Sequence, residues 1–251
     1  MNLSKIGRNI ARVDNNYKKL YSIASPEDNS EHELKVFQEI RLKEGKFKYM
    51  LNNDSERDTV CVLGSSGSGK SYWIKEFCET YHKKNPKNEI FLFSESDSDP
   101  LFDDVSWIKR VAINEELLKD PVLWDEFKNC LVIFDDIDAT KGGTKKYIYG
   151  LRDKLLKNSR KFGVSVIVSN HNMTDGNDTK TLLNESNVIV FFMQNYNRSI
   201  EYLLKNYIGI DKAGIQKLRN VQTRATVYIK SYPNIVMTDQ YITTVSELNK
   251  K

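Results

Sequence analysis

The sequence predicts a three-layer α/β sandwich around a central, mostly parallel β-sheet, and two observations carry that reading. Five short apolar runs, at 59–63, 89–93, 131–134, 164–168 and 188–192, are separated by stretches of helical spacing or loop composition. Strands that are apolar throughout and alternate with helices suit a parallel sheet covered on both faces, because an antiparallel sheet with one wet face would alternate polar and apolar positions. The second observation is a glycine-rich loop at 64–69, set between the first of these strands and a helix-like stretch at 72–83.

A chain of 251 residues fits one large domain with decorations. Residues 1–57 are polar and charged, with a turn cluster at 25–30 and a segment at 35–51 suited to a helix or a short hairpin, and they form an N-terminal extension. Residues 58–197 form the core. Residues 198–251 follow as C-terminal helices over 199–207 and about 212–219, then a β-hairpin of 224–230 with 235–244 around Tyr232-Pro233-Asn234. No apolar run approaches the roughly 20 residues of a membrane span, and the N-terminus lacks the apolar stretch of a secretory signal. An intracellular, non-secreted protein is expected. Cys61, Cys78 and Cys130 are scattered and odd in number, which reads as buried thiols rather than a disulfide frame or metal site. A net charge of +4 is too mild to imply nucleic acid by itself, so the placement of charge matters more.

Gly64-Ser65-Ser66-Gly67-Ser68-Gly69-Lys70-Ser71 fits the pattern G-x-x-x-x-G-K-[ST] between a strand and a helix. Gly67 and Gly69 permit the backbone to curl so that successive N–H groups face phosphate oxygens, and the positive end of the next helix favours the same anion. Lys70 would reach the β and γ phosphates of ATP, and the Ser71 hydroxyl would ligate Mg²⁺. A second carboxylate is then needed on a neighbouring strand. Leu131-Val132-Ile133-Phe134-Asp135-Asp136 supplies it, with Asp135 on the metal side and Asp136 placed to polarise an attacking water, which favours hydrolysis over transfer to a small acceptor. Asp138 competes for that role.

The run 164–168 ends in Ser169-Asn170-His171. If that strand lies between the other two, Asn170 is the expected γ-phosphate sensor and His171 a loop cap. His32 and His82 receive no role. A trans-acting arginine is commonly needed in multimeric ATPases; Arg160 is the first candidate, with Arg152 and Arg198 behind it. Lys141, Lys145, Lys146, Arg152, Lys154, Lys157, Arg160 and Lys161, opposed only by Asp153, make the most basic stretch of the chain. On a helix, Ile148, Leu151 and Leu155 would face the core while Lys146, Lys154, Lys157 and Lys161 share the opposite side, where they could follow a DNA backbone without reading bases.

Taken together, the P-loop, the doubled aspartate after 131–134, the segment Asn158-Ser159-Arg160-Lys161-Phe162-Gly163 leading into 164–171, and the closing strand 188–192 followed by Gln194-Asn195 resemble the HerA/FtsK superfamily. The match is to the genome-packaging ATPases of large nucleocytoplasmic DNA viruses and virophages, and it spans roughly residues 46–197. The resemblance implies an ASCE, RecA-like P-loop NTPase that translocates double-stranded DNA into a capsid. It implies a homo-oligomeric ring, pentameric or hexameric, docked on capsid or portal-vertex proteins, in the virion or a viral factory of the host cytoplasm. Family members usually carry glutamine or another polar sensor, so Asn170 or His171 departs from that pattern. An arginine-rich kinase lid, a GTPase Asn-Lys-x-Asp motif and an LSGGQ-like signature are absent from the sequence. The remaining alternatives are a DNA pump of the same superfamily and a nucleotide-dependent DNA or capsid adaptor without turnover.

Overall fold

A computed structural model describes residues 8–14, 16–23, 39–52, 57–96, 98–171, 176–221, 223–231 and 233–250. The expected turn cluster at 25–30, His32 and Tyr232 lie outside the described residues. In chain order the elements are β1 (Arg8–Val13), β2 (Asn16–Ile23), β3 (Glu39–Arg41), β4 (Phe47–Tyr49), β5 (Thr59–Leu63), α1 (Lys70–Lys84), β6 (Ile90–Ser94), β7 (Ile108–Ala112), α2 (Glu116–Lys119) and β8 (Leu131–Asp135). They continue with α3 (Gly142–Asn158), β9 (Ser165–Asn170), α4 (Gly176–Glu185), β10 (Val188–Phe191), α5 (Arg198–Tyr202), α6 (Lys212–Arg219), β11 (Thr226–Ile229), β12 (Ile235–Met237), β13 (Tyr241–Thr244) and α7 (Val245–Leu248). Two compact units divide the chain: a central one of Ser55–Ile189, and a terminal one that gathers Met1–Asp54 with Val190–Lys251.

In the central unit the strands run parallel in the order β5-β9-β8-β6-β7. Every residue of β5, β8 and β9 is buried, as expected of strands covered on both faces. The α/β class with a mostly parallel central sheet is therefore the fold observed. Strand β9 does lie between β5 and β8, so Leu63 partners Asn170 and Phe134 partners Val168. Three strand ends thus converge on one edge of the sheet, where open α/β folds place their ligands. Helix α1 buries Ile74, Phe77, Cys78 and Tyr81, a spacing of three, one and three that keeps one face inward. Helix α3 buries Ile148, Leu151 and Leu155, and the Arg57 guanidinium donates to the Leu155 carbonyl at 2.7 Å and to that of Leu156, satisfying carbonyls at its C-terminus.

Strand β7 is absent from the sequence reading. Among the described residues it pairs only with β6, and its Lys109-Arg110 pair breaks the apolar run that marks the inner strands. Lys109 covers the Phe91 ring at 5.7 Å and pairs with Glu89, the polar cover expected of an edge.

The terminal unit holds an antiparallel β2-β1-β4 sheet and an antiparallel run β3-β13-β12-β11. The segment expected to be a helix or hairpin at 35–51 supplies strands β3 and β4, which pair with β13 and β1 and not with each other. Strands β11 and β12 form the expected C-terminal hairpin, but 235–244 is two strands. The Thr238 hydroxyl accepts the N–H groups of Gln240 and Tyr241, folding the chain back into β13. The helix expected over 199–207 is α-helical only to Tyr202 and continues as a π-helix over Leu203–Ile208. Among the described residues no helix is long and apolar enough to cross a membrane.

Candidate functional site

Beyond β5 the chain turns at buried Gly64, whose N–H donates to the Asn170 carbonyl at 3.2 Å and so ties the loop to β9. Ser65, Ser66 and Gly67 are exposed. Gly67 and Gly69 have φ of 72° and 109°, in the left-handed region where a Cβ is strained, so both positions call for glycine. Gly69 caps α1 without a side-chain hydrogen bond, and the first turn of α1 contains no carboxylate. A glycine-curled loop leading into an unopposed positive helix end suits an anion. The Ser68 hydroxyl oxygen is buried with no hydrogen-bond partner among the described residues, as is Asn170 Oδ1. Such orphaned polar atoms beside a phosphate-shaped loop fit a bound nucleotide.

The acids follow from how β8 ends. Asp135 is the last residue of the strand and is buried; Asp136 adopts the left-handed conformation, with φ 48°, and turns the chain away from the strand direction. Ser169, next to last in β9, joins them. Its hydroxyl donates to Asp135 Oδ1 at 2.6 Å, lies 3.1 Å from Asp136 Oδ1, and accepts the Asp136 backbone N–H at 2.9 Å. Burial pushes the Asp135 carboxyl above the usual carboxylate range; the Ser169 hydroxyl pulls it back, the charge of Asp136 adds to the rise, and Lys70 opposes it.

Lys70 is buried and donates to the Gly64 carbonyl at 3.0 Å, with Asp136 Oδ1 at 3.5 Å and His171 Nδ1 at 3.3 Å. His171 Nε2 lies 2.9 Å from the other Asp136 oxygen, and the His171 N–H donates to Asp138 Oδ2 at 3.2 Å. The structure thus brings Lys70, Asp135, Asp136, Asp138, Ser169, Asn170 and His171 together at the strand ends. His171, read as a loop cap from sequence, is the ring that spans Lys70 and Asp136. Ser169 was missed as a functional residue, although a sensor strand lying between the other two puts its penultimate residue beside the acid of β8.

The arginines fare differently. Arg160 is exposed in the 3-10 turn that follows α3. Arg152 is wholly buried, pairs with Asp153 at 2.7 Å and lies over the Tyr149 ring at 4.2 Å. It is therefore not available to reach across an interface. Arg198 opens α5, in the terminal unit. His82 is stacked on Trp107 with ring centroids 4.5 Å apart. All three cysteines are free and buried.

A hard cation suits the oxygen set of Ser71 and Asp135. Asp136, Asp138 and His171 also bring ligand atoms within 4.8 Å of one another. However, the Lys70 ammonium 3.3 Å from His171 Nδ1 opposes a second positive ion there.

The strand order β5-β9-β8, with the phosphate loop after β5 and the acids after β8, is the arrangement of a P-loop NTPase fold. The chain is 31% identical over 240 residues to the uncharacterized protein V3 of Sputnik virophage, covering 93% of this chain and 94% of V3, and it belongs to one family with that protein. The likeness therefore extends well outside the 46–197 span drawn from motifs. No protein-family model matches the chain. Among solved structures, the genome packaging NTPase B204 of Sulfolobus turreted icosahedral virus 2, in complex with ATP-γS, aligns with a TM-score of 0.50 at 18% identity, covering 73% of this chain and 98% of B204. The pCW3 conjugation coupling protein TcpA, also with ATP-γS, aligns with a TM-score of 0.51 at 13% identity, covering 93% of this chain and 77% of TcpA. At these identities the structural likeness establishes the fold.

Proposed function

We propose that the chain is an ATP-hydrolysing motor that drives double-stranded viral DNA into a capsid. The observation that carries hydrolysis is the 3.5 Å separation of Lys70 Nζ and Asp136 Oδ1. A water held by Asp136 then lies beside the phosphate held by Lys70, so the base and the electrophile share one small volume. Asp135 and the Ser71 hydroxyl would hold Mg²⁺, which supplies charge neutralisation on the β and γ phosphates. Ser169 fixes both carboxylates from the neighbouring strand. Asn170, with its buried orphan oxygen, and His171, in contact with Asp136, report on the γ-phosphate. Arg160 acts in trans within a homo-oligomeric ring, pentameric or hexameric, that docks on capsid or portal-vertex proteins in the virion or viral factory.

The packaging role is supported by kinship with a virophage protein and by the fold shared with a viral genome packaging NTPase. A second reading, a DNA pump of another kind, is favoured by the alignment with a conjugation coupling protein over nearly the whole chain.

Steady-state ATP hydrolysis with and without long duplex DNA, at low and moderate salt and with Lys70→Ala as control, tests the proposal. DNA-stimulated turnover that vanishes in the variant supports a translocating motor. Vigorous turnover indifferent to DNA points to a small-molecule enzyme, and none at all to an adaptor.

A further inference from the structure

We infer that the outer face of α3 is a track for the sugar-phosphate backbone of double-stranded DNA. The choice of duplex DNA as the polymer rests on the proposed function; the surface is argued from the helix itself.

Lys146, Lys154 and Lys157 are all exposed, and at the pitch of an α-helix they fall within about 80° of arc. Lys161, also exposed, continues the line in the turn that follows. The opposite face is the buried row of Ile148, Leu151 and Leu155, so the rotation of the helix is set and the lysines face outward. The helix has one acidic residue, Asp153, and the buried Arg152 already holds it through Nε at 2.8 Å and Nη2 at 2.7 Å. That carboxylate, half-buried at the edge of the lysine arc, is paired with a buried guanidinium, so the net charge of the arc stays positive.

Gly150 lies among these lysines on the same arc. It is exposed, and a Cβ built there meets nothing within 4 Å. Glycine in a helix interior is destabilising relative to alanine, and neither packing nor a left-handed φ accounts for it here. Its remaining physical use is to let another backbone come close. A gap in side-chain height between flanking cations is the shape that a phosphate chain fits, as phosphate contact positions a duplex without reading bases.

The helix also begins close to the chemistry. Asp136 precedes Gly142 by six residues, and the connection is pinned by the Thr140 hydroxyl donating to the Ile137 carbonyl at 2.6 Å. A load on α3 is therefore applied within a short, tied segment of the acid that addresses the water.

Binding of a mixed-sequence duplex of about 40 base pairs, followed by fluorescence anisotropy across a salt series, tests the inference. Lys154→Ala/Lys157→Ala should lower the slope of log K against log salt by about 2, since each phosphate contact contributes about 0.9. It should leave DNA-independent ATP hydrolysis at the wild-type rate, and the charge-matched Lys119→Ala/Lys128→Ala should keep the wild-type slope. Gly150→Gln separates contact from folding: it should raise the unfolding temperature, as a better helix former, while weakening duplex binding by about tenfold. Wild-type slopes in the double variant, or wild-type affinity in Gly150→Gln, overturn the inference while a DNA-stimulated wild type keeps the proposed function standing. A wild type that binds no duplex overturns both. Loss of self-association in place of DNA affinity makes this face a subunit contact and overturns the inference alone.

Discussion

Helices α1 and α3 both follow strands that are buried along their whole length, and both have lysines with glycines nearby, yet the two differ in how they are placed. On α1 the glycines precede the helix at positive φ, and Lys70 is buried among the Gly64 carbonyl, Asp136 and His171. On α3 Gly150 is inside the helix with open space around it, and Lys154 and Lys157 are exposed. Residue type is the same in both; burial and polar neighbours separate the lysine proposed to bind a reacting phosphate from those that face outward. A desolvated cation aimed at a phosphate contributes far more than a solvated one at the same distance.

The sharpest way to break this comparison is to remove the buried lysine. Lys70→Ala should lower ATP turnover by at least about a hundredfold, the scale seen when one preorganised electrostatic contact is deleted, and loss of an exposed lysine on α3 should leave DNA-independent turnover unchanged. Initial-rate assays at saturating ATP read both. Equal effects at Lys70 and Lys157 would abolish the distinction. Asp136→Asn should come next, lowering turnover by about 10² to 10⁴ as expected for loss of a general base, with nucleotide affinity within a few fold of wild type by direct titration. If affinity collapses in step with turnover, the base lies elsewhere, and Asp138, which already holds the His171 N–H, is the residue to change next.

Ser169→Ala sharpens the comparison further, because Ser169 touches no phosphate-loop residue in the described contacts and acts through the acids. Its loss leaves the Asp136 N–H without the hydroxyl it donates to and the Asp135 carboxylate without its donor. The expected kinetic outcome is a fall in kcat of about tenfold, from the misplaced base, with little change in KM. A rise in KM alone would assign Ser169 to binding.

How much of this was legible in the sequence follows the same division. The inner strands β5, β8 and β9 were read within two residues of their ends because burial on both faces writes an uninterrupted apolar run. The phosphate loop was legible because the positive φ of Gly67 and Gly69 admits few other residues. Strand β7 was not, since an edge strand carries Lys109 and Arg110 where an inner one carries valine. Nor was the pairing of β3 and β4 with distant partners, because register between remote segments leaves no local pattern. At the site, the two acids announced themselves by adjacency, but the bridging role of Ser169 and the placement of His171 between Lys70 and Asp136 are products of strand order. Arg152 is the instructive reversal: a residue type that is almost always solvated lies at zero exposure because Asp153 and Tyr149 receive it.

The smallest expected effect concerns the inward face of α1. Cys78 on that face and Cys130 just before β8 are both buried, and burial raises both thiols, Cys130 to about 12 and Cys78 further. Thiolate is the reactive form, so a thiol reagent at pH 8 should modify neither residue in the folded protein, and labelling should appear only with unfolding. A group raised in the folded state stabilises the fold fully below its unfolded value, near about 8.5 for a free thiol, and that contribution is lost as pH rises towards the folded value. Urea unfolding midpoints should therefore hold steady from neutral pH to about 8 and decline above it, and Cys78→Ala should flatten the decline. A midpoint that falls equally in Cys78→Ala would shift the alkaline loss to other groups. Rapid labelling of Cys78 at neutral pH would mean that α1 opens locally, so that the helix carrying Lys70 is the looser of the two.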